Sequence, residues 1–281
     1  MIRSDNHIHS YYSTDSEASM TDIIEEARHM GFESICFTDH MDYNFPSVTE
    51  IPDFVFDMNK YTSEISLLDI ENPDINIRKG VELGLKEDVV KKCLELTKNY
   101  SLDFVIGSTH LVDNIDPYDD EYWVDKTERK AITRYYETTL NNLSLGIDFD
   151  VYGHIDYIIR YTPKMKILRS KGLNDEEYST ECLMPYLDII EEILKKIISL
   201  GKGIEVNTAG LKYGLCHPNP NEKILKLYHE LGGEIITIGS DAHEPKHIGY
   251  EFDVIPDMLK ACGFKYYTEF KNRKPVMITL D

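Results

Sequence analysis

Apolar positions recur along this chain in two alternating rhythms: short β-branched or aromatic runs, and longer stretches with helical spacing. Residues 3–9 form the first short run and predict a strand. Residues 21–30 then place Ile23, Ile24, Ala27 and Met30 on one helical face, with Thr21 as N-cap and Gly31 as the stop. Residues 34–38 are mostly apolar, as suits a parallel strand covered on both faces. The alternation continues with helices over 58–70, 87–98, 127–143, 183–200 and 221–231. Strands are predicted over 76–83, 102–108, 149–153, 203–207 and 235–239. From Val254 the pattern adds a helix and two short strand-like pieces, 265–269 and 276–280, expected to pack outside the barrel.

Seven strand–helix alternations with no compositional break predict one α/β domain over 1–281, its parallel strands joined by crossover helices. Chemistry-bearing residues follow nearly every strand. An open sheet concentrates such residues at one switch point, whereas a barrel gathers every strand end around one axis. The expectation is therefore a distorted seven-stranded (β/α)7, TIM-like barrel. Two connections are long: 42–57, carrying Tyr43, Phe45, Phe54 and Phe56, and the acidic, aromatic segment 111–125. Both are expected to be lids or binding loops.

Composition narrows the partners. Fifty acidic residues against thirty basic ones give a formal net charge of −20, which disfavours a nucleic acid partner. The five cysteines form no close pair and read as reduced thiols of a cytoplasmic protein. The polar N-terminus does not read as a signal peptide, and no apolar run approaches the length of a membrane span.

The candidate ligands are His7, His9, Asp15, His40, Glu82, His110, His154, Asp241 and His243. Period two in a strand puts His7 and His9 on one face, where two imidazoles can grip one ion. Six imidazoles and three carboxylates exceed one tetrahedral zinc and suit two or three divalent ions such as zinc, iron or manganese. Glu82, alone on its strand, is the natural bridging carboxylate. His29 and His229 lie on helices and are expected to be structural. His217 reads equally as a substrate contact or a structural residue. His247 is expected to support the site from behind, and strand alternation turns Asp39 away from the ligands into a hydrogen-bonding role. No cysteine has a base arranged beside it.

Five fragments together resemble the polymerase and histidinol phosphatase (PHP) family of metal-dependent phosphoesterases. They are Asp5-x-His7-x-His9-Ser10, Thr38-Asp39-His40, Gly107-Ser108-x-His110, Gly153-His154-x-Asp156 and Gly239-Ser240-Asp241-Ala242-His243. Each alone is weak; all five in this order are specific. The resemblance implies a distorted seven-stranded barrel with three metals. One metal would use His7, His9, Glu82 and Asp241, a second Glu82, His110 and His154, and a third Asp15, His40 and His243. Some relatives carry histidine where this chain has Asp15, a harder ligand that favours iron or manganese there. Ser10-Tyr11-Tyr12-Ser13-x-Asp15, Gly153-His154-x-Asp156-x-x-x-Arg160 and Glu205-Val206-Asn207-Thr208-x-Gly210 resemble the histidinol-phosphate phosphatase branch.

The implied reaction is hydrolysis of a small phosphate monoester, histidinol phosphate, in histidine biosynthesis. A metal-bridging hydroxide anchored by Glu82 would attack phosphorus in line. His243 or Asp241, or a metal-bound water, would assist the leaving oxygen. Arg160 is the expected phosphate clamp, because a guanidinium fork matches two phosphoryl oxygens; Lys212 is a second choice. Asp113, Asp116, Asp119, Asp120 and Glu121 would meet the ammonium of histidinol, with Tyr118 or Trp123 stacking on it or on the imidazole. The alternatives are a phosphoesterase of the same family acting on another small ester or on nucleotide or nucleic acid ends, a barrel amidohydrolase, and a metal-binding regulatory protein.

Overall fold

The structure, a computed structural model, describes residues 2–46 and 54–280. Eight strands form its parallel sheet: β1 (Ser4–Ile8), β2 (Ser34–Phe37), β3 (His40–Met41), β4 (Asn76–Gly84), β5 (Phe104–Ser108), β6 (Val151–Tyr152), β7 (Gly203–Asn207) and β8 (Ile236–Gly239). Their order is β1-β2-β4-β5-β6-β7-β8, and β3 prolongs β2 along β4, so the barrel has seven staves. The last and first staves meet just past their ends. Ile8 pairs in parallel with Ala242, His9 N–H donates to Ala242 O at 2.9 Å, and Asp241 N–H to His7 O at 2.9 Å. Asp5 reinforces the seam by accepting from Ser240 N–H and Gly249 N–H, each at 3.0 Å. This is the seven-stranded, TIM-like barrel expected from the pattern.

The wall carries α1 (Met20–His29), α2 (Met58–Glu71), α3 (Val90–Asn99), α4 (Glu128–Asn142), α5 (Pro163–Ser170), α6 (Glu176–Leu183), α7 (Leu187–Ser199), α8 (Ala209–Lys212), α9 (Glu222–Glu230) and α10 (Ile255–Ala261). In α7, Ile190, Ile193, Leu194 and Ile197 are buried at the three- and four-residue spacing of one helical face. Each such side chain contributes about 1.5–3 kcal/mol of burial. The helix predicted over 183–200 is α7, which starts later than expected, at Leu187. Pro185 lacks the N–H that a helix interior needs, so α6 stops at Leu183 and α7 starts at Leu187. The cap of α1 is Ser19, whose side chain accepts from Asp22 N–H, and Thr21 lies inside the helix. Residues 87–89 form a tighter turn ahead of α3. Helix α5 has a sequence signal that the reading passed over: Thr162 caps it, with Pro163 in its first turn.

The tail differs from expectation in position. β9 (Tyr266–Lys271) and β10 (Lys274–Thr279) form an antiparallel hairpin. Phe270 stacks on Phe104 at 5.1 Å and joins Cys36, Ile106 and Val151 in the barrel interior. Arg78, near the start of β4, donates to Phe270 O at 3.2 Å, Asn6 Oδ1 at 2.8 Å and Ser34 Oγ at 2.8 Å. The hairpin thus closes the N-terminal end of the barrel and leaves the other end to the site. Part of the long 42–57 connection, residues 47–53, lies outside the described residues. Among the described residues no helix is long and apolar enough to cross a membrane.

Candidate metal centre

All nine candidate ligands reach one place at the C-terminal ends of the strands. Glu82, buried in β4, is the hub. Its Oε2 lies 3.2 Å from His7 Nε2 and 3.1 Å from His40 Nδ1; its Oε1 lies 3.1 Å from His110 Nε2 and 2.9 Å from His154 Nε2. Ser108 Oγ donates to the same Oε1 at 2.6 Å. Asp241 Oδ1 sits 3.3 Å from His9 Nε2 and 3.7 Å from His7 Nε2. At the outer edge Asp15 Oδ2 is 3.2 Å from His243 Nε2 and 3.8 Å from His40 Nε2. Asp241 takes the left-handed region at φ 54°, a strained conformation that its backbone bond to His7 O helps hold.

Four groups of donor atoms gather within 4.8 Å: His7, His9 and Glu82; Glu82, His110 and His154; His9, His40 and His243; and His40, Asp42 and His110. The second has the same members as the expected second set, and the first falls within the expected first set without Asp241. The third holds His9 beside His40 and His243. The fourth brings in Asp42, which the sequence reading missed: its Oδ2 lies 2.8 Å from His110 Nδ1 and 3.7 Å from His40 Nδ1. The His40-x-Asp42 alternation, of the same kind as His7-x-His9, was the available signal.

A layer of acceptors fixes the rings from behind. Glu205 Oε1 is 2.5 Å from His7 Nδ1, and Glu205 Oε2 accepts from His154 N–H at 3.1 Å. Ser13 Oγ gives its proton to Asp39 Oδ1 at 2.8 Å, so it accepts from His9 Nδ1–H at 2.9 Å. His9 then presents a bare Nε2 to the centre. Asp39 also accepts from Ser10 N–H at 2.6 Å and sits behind the ligands, as strand alternation predicts. Gly239 is required by this crowding: a Cβ there would overlap His7 Cβ and come within 2.7 Å of Glu205 Oε1. His247 does not support the centre; it lies 3.8 Å from Glu244 near the surface. His217 is buried and bonds Pro218 O at 2.7 Å.

The electrostatics demand positive charge. His7 and His9 bring their Nε2 atoms to 3.0 Å, among the carboxylates of Glu82 and Asp241. Burial pulls the His7 pKa down, but Glu205, Glu82 and Asp241 outweigh it and hold the ring well above its usual value. For His40 burial also lowers, and Asp15, Glu82 and Asp42 raise the value to about 9. His110 is lowered by burial yet held well above normal by Asp42 and Glu82. Burial, with His243 and His40 nearby, keeps His9 well below its usual value and neutral. Burial would raise Glu82 and Asp241, but the surrounding histidines keep both well below the carboxylate range. Protons on these rings therefore occupy positions that divalent cations would take. Imidazole and carboxylate donors in this mixture fit ions of the zinc, iron or manganese type.

Arg160 is buried beside the cluster and is no surface ion-pair partner. Its Nε–H donates to Asn219 Oδ1 at 2.5 Å and Nη2 to Asn207 Oδ1 at 2.9 Å; Nη1 lies 3.5 Å from Asp241 Oδ2. The Tyr157 and Tyr213 rings cover the guanidinium at 5.5 and 5.2 Å. Asn207 Nδ2 also donates to Asp241 Oδ2 at 3.2 Å. Glu205 and Asn207, quoted above only as part of a motif, thus acquire separate roles behind His7 and beside Arg160. Lys212 is partly buried, and that burial lowers its pKa.

A parallel barrel that gathers buried imidazoles and carboxylates at its strand ends defines a metal-dependent hydrolase scaffold. The PHP domain family matches residues 5–209, and the chain belongs to that family, in its histidinol-phosphatase branch. A probable histidinol-phosphatase of Clostridium acetobutylicum is 33% identical, over 93% of this chain and 94% of its own. One from Thermotoga maritima is 33% identical over 93% of each chain. The crystal structure of histidinol phosphate phosphatase from Lactococcus lactis, complexed with zinc, L-histidinol and phosphate, has a TM-score of 0.82 at 28% identity, covering 98% of both chains.

Proposed function

We propose that this chain is a histidinol-phosphatase, a phosphoric monoester hydrolase that converts L-histidinol phosphate to L-histidinol and inorganic phosphate. The observation that carries this is the hub at Glu82, where four imidazoles meet one carboxylate, within a fold that covers the Lactococcus lactis enzyme almost end to end. We read residues 1–281 as a single domain and the cluster as the seat of two or three divalent ions, with zinc, iron and manganese the candidates. His7, His9, Asp15, His40, Glu82, His110, His154, Asp241 and His243 would hold them. Such ions, when bound, acidify water and neutralise phosphoryl oxygens.

The remaining work falls to the chain. Arg160 is the candidate clamp on the phosphate: its Nε and Nη2 are pinned by asparagines, which orients the fork beside Asp241. His243 keeps 24% of its side chain exposed at the mouth and bonds Asp15, which raises its pKa against the lowering by burial. That places the His243 ring at the open edge of the site, a candidate to assist the leaving oxygen. The acidic surface, at a net charge of −20, agrees with a small substrate and not with nucleic acid.

Phosphate release from L-histidinol phosphate, measured against a panel of small monoesters and single-stranded DNA, tests this reading. A preference of about a hundredfold or more for histidinol phosphate is expected. A flat profile, or faster cleavage of DNA, overturns it.

A further inference from the structure

Two of the donor groups share no residue: Glu82 with His110 and His154, and His9 with His40 and His243. Asp42 belongs to neither, yet its carboxylate stands behind one ring of each. Asp42 Oδ2 lies 2.8 Å from His110 Nδ1, while His110 Nε2 faces Glu82 Oε1 at 3.1 Å. The same Asp42 oxygen lies 3.7 Å from His40 Nδ1, while His40 Nε2 faces Asp15 Oδ2 at 3.8 Å. Each imidazole therefore turns Nδ1 toward Asp42 and Nε2 toward a candidate ion position.

Two neighbouring strands build this arrangement. β3 runs beside β4 so that His40 meets Glu82 and Met41 meets Leu83, and Asp42 comes to lie against Gly84. A Cβ at Gly84 would overlap Asp42 Oδ1, so glycine leaves the carboxylate its room. Asp42 is buried and lines a small cavity with Gly84, Lys86 and His110. Lys86 is engaged elsewhere: its ammonium donates to Asn44 O at 3.0 Å and Asn114 Oδ1 at 3.1 Å, and pairs with Asp88 at 3.4 Å. Among the described residues, the groups within ion-pair distance of Asp42 are the His40 and His110 rings. His40 Nδ1 is also 3.1 Å from Glu82 Oε2, but without hydrogen-bond geometry. Asp42 Oδ1 and His40 Nδ1 are both buried atoms with no hydrogen-bond partner among the described residues. Such atoms are costly to leave unpaired, and these two are the spare acceptor and spare donor of one pair.

Resting on the reading of the cluster as a seat of divalent ions, we infer that Asp42 is a positioning residue serving two ions at once, holding His110 for one and His40 for the other. A carboxylate behind a ligating imidazole fixes its tautomer and orientation and strengthens the free nitrogen as a donor. Glu205 stands behind the His7 ring and Ser13 behind that of His9, whereas Asp42 stands behind two rings. One substitution at Asp42 thus reaches two ions and spares the ion on His7, His9 and Asp241.

Stepwise zinc affinities of the metal-free wild-type, Asp42→Ala, Asp42→Asn and Gly84→Ala proteins, measured against a chromophoric chelator, test this. Cobalt titration of the same proteins reads the ligand field of each position by visible absorption. The wild-type protein is expected to bind three ions. Asp42→Ala is expected to weaken two of them by about tenfold to a hundredfold and to leave the third unchanged. Asp42→Asn, whose amide oxygen still accepts a ring N–H, should fall between. Gly84→Ala keeps every ligand but displaces the carboxylate, and should weaken the same two ions. Unchanged affinities, loss at one ion alone, or equal loss at all three (the mark of a merely structural role) overturns the inference. A wild-type protein with fewer than three ions overturns it as well. If the three ions respond as expected while the zinc-loaded wild-type protein releases no phosphate from histidinol phosphate, Asp42 keeps its role and the histidinol phosphate reading fails.

Discussion

His7 Nδ1 lies 2.5 Å from Glu205 Oε1, so the carboxylate claims that ring nitrogen and leaves Nε2 to face Glu82 and Asp241. The pair joins the first strand of the barrel to β7, its sixth stave, across the mouth. Replacing Glu205 with alanine is expected to weaken metal binding by about tenfold to a hundredfold, because the ring loses its orientation and some basicity. Competition with a chelator reads this directly. An unchanged affinity would show that packing alone holds the ring.

Gly239 should be as sensitive as a ligand. Alanine there drives a Cβ into His7 Cβ and against Glu205 Oε1. The Gly239→Ala protein is expected to bind less metal and to lose most of its phosphatase activity. Full occupancy by metal analysis would contradict the crowding argument.

Glu82→Gln removes the charge shared by four rings while keeping the shape. Metal content per chain should fall, and turnover should drop by more than about a hundredfold. The same substitution should also lower the titration of His40 and His110, which Glu82 raises. Histidine NMR titrations of the metal-free protein would reveal that shift or its absence.

Stability of the metal-free protein should depend on pH through the same rings. His7, His40 and His110 bind protons more tightly folded than unfolded, because carboxylates outweigh the lowering by burial. Their contribution is complete below the unfolded value near 6.5 and is lost as pH rises through the folded values, about 9 for His40. Tm should therefore fall as pH is raised from 7 toward 10, and fall less when zinc or manganese replaces the protons. A flat metal-free profile over that window contradicts this.

Asp116 carries the opposite sign. Its folded pKa, about 6, exceeds the unfolded value of 3.8, so the folded state is penalised whenever the carboxyl is ionised. Asp116→Asn should raise Tm relative to wild type above pH 6, and the difference should vanish as pH falls toward 4. His110, Asp42, Asp119 and Tyr157 are the groups around it, and all remain in the variant. A variant less stable than wild type at pH 7.5 would mean that the carboxylate is structural.

Arg160→Lys should retain its metals yet lose about tenfold or more in kcat/KM, since an ammonium cannot reproduce the fork that meets Asn207 and Asn219 together. Equal kinetics would remove Arg160 from the phosphate site.

Local periodicity was enough to read the alternation of strands and helices and the strand-end placement of His7, His9, His40, Glu82, His110, His154, Asp241 and His243. These features depend on residues a few positions apart, where pleat and helix pitch set direction. The start of α7 after Pro185 and the cap at Ser19 were equally local, and the signals were present in the chain. Only the tertiary structure decided which donors share each oxygen of Glu82, and it alone placed Asp42 against His110 and Glu205 behind His7. It also moved the tail hairpin to the far end of the barrel, where Phe270 meets Phe104. Those relationships depend on the closure of the barrel between β1 and the residues after β8, which join parts of the chain more than two hundred residues apart. Spacing marks a carboxylate such as Asp42 or Glu82 as a candidate, but the distances to its partners come only from the closed barrel.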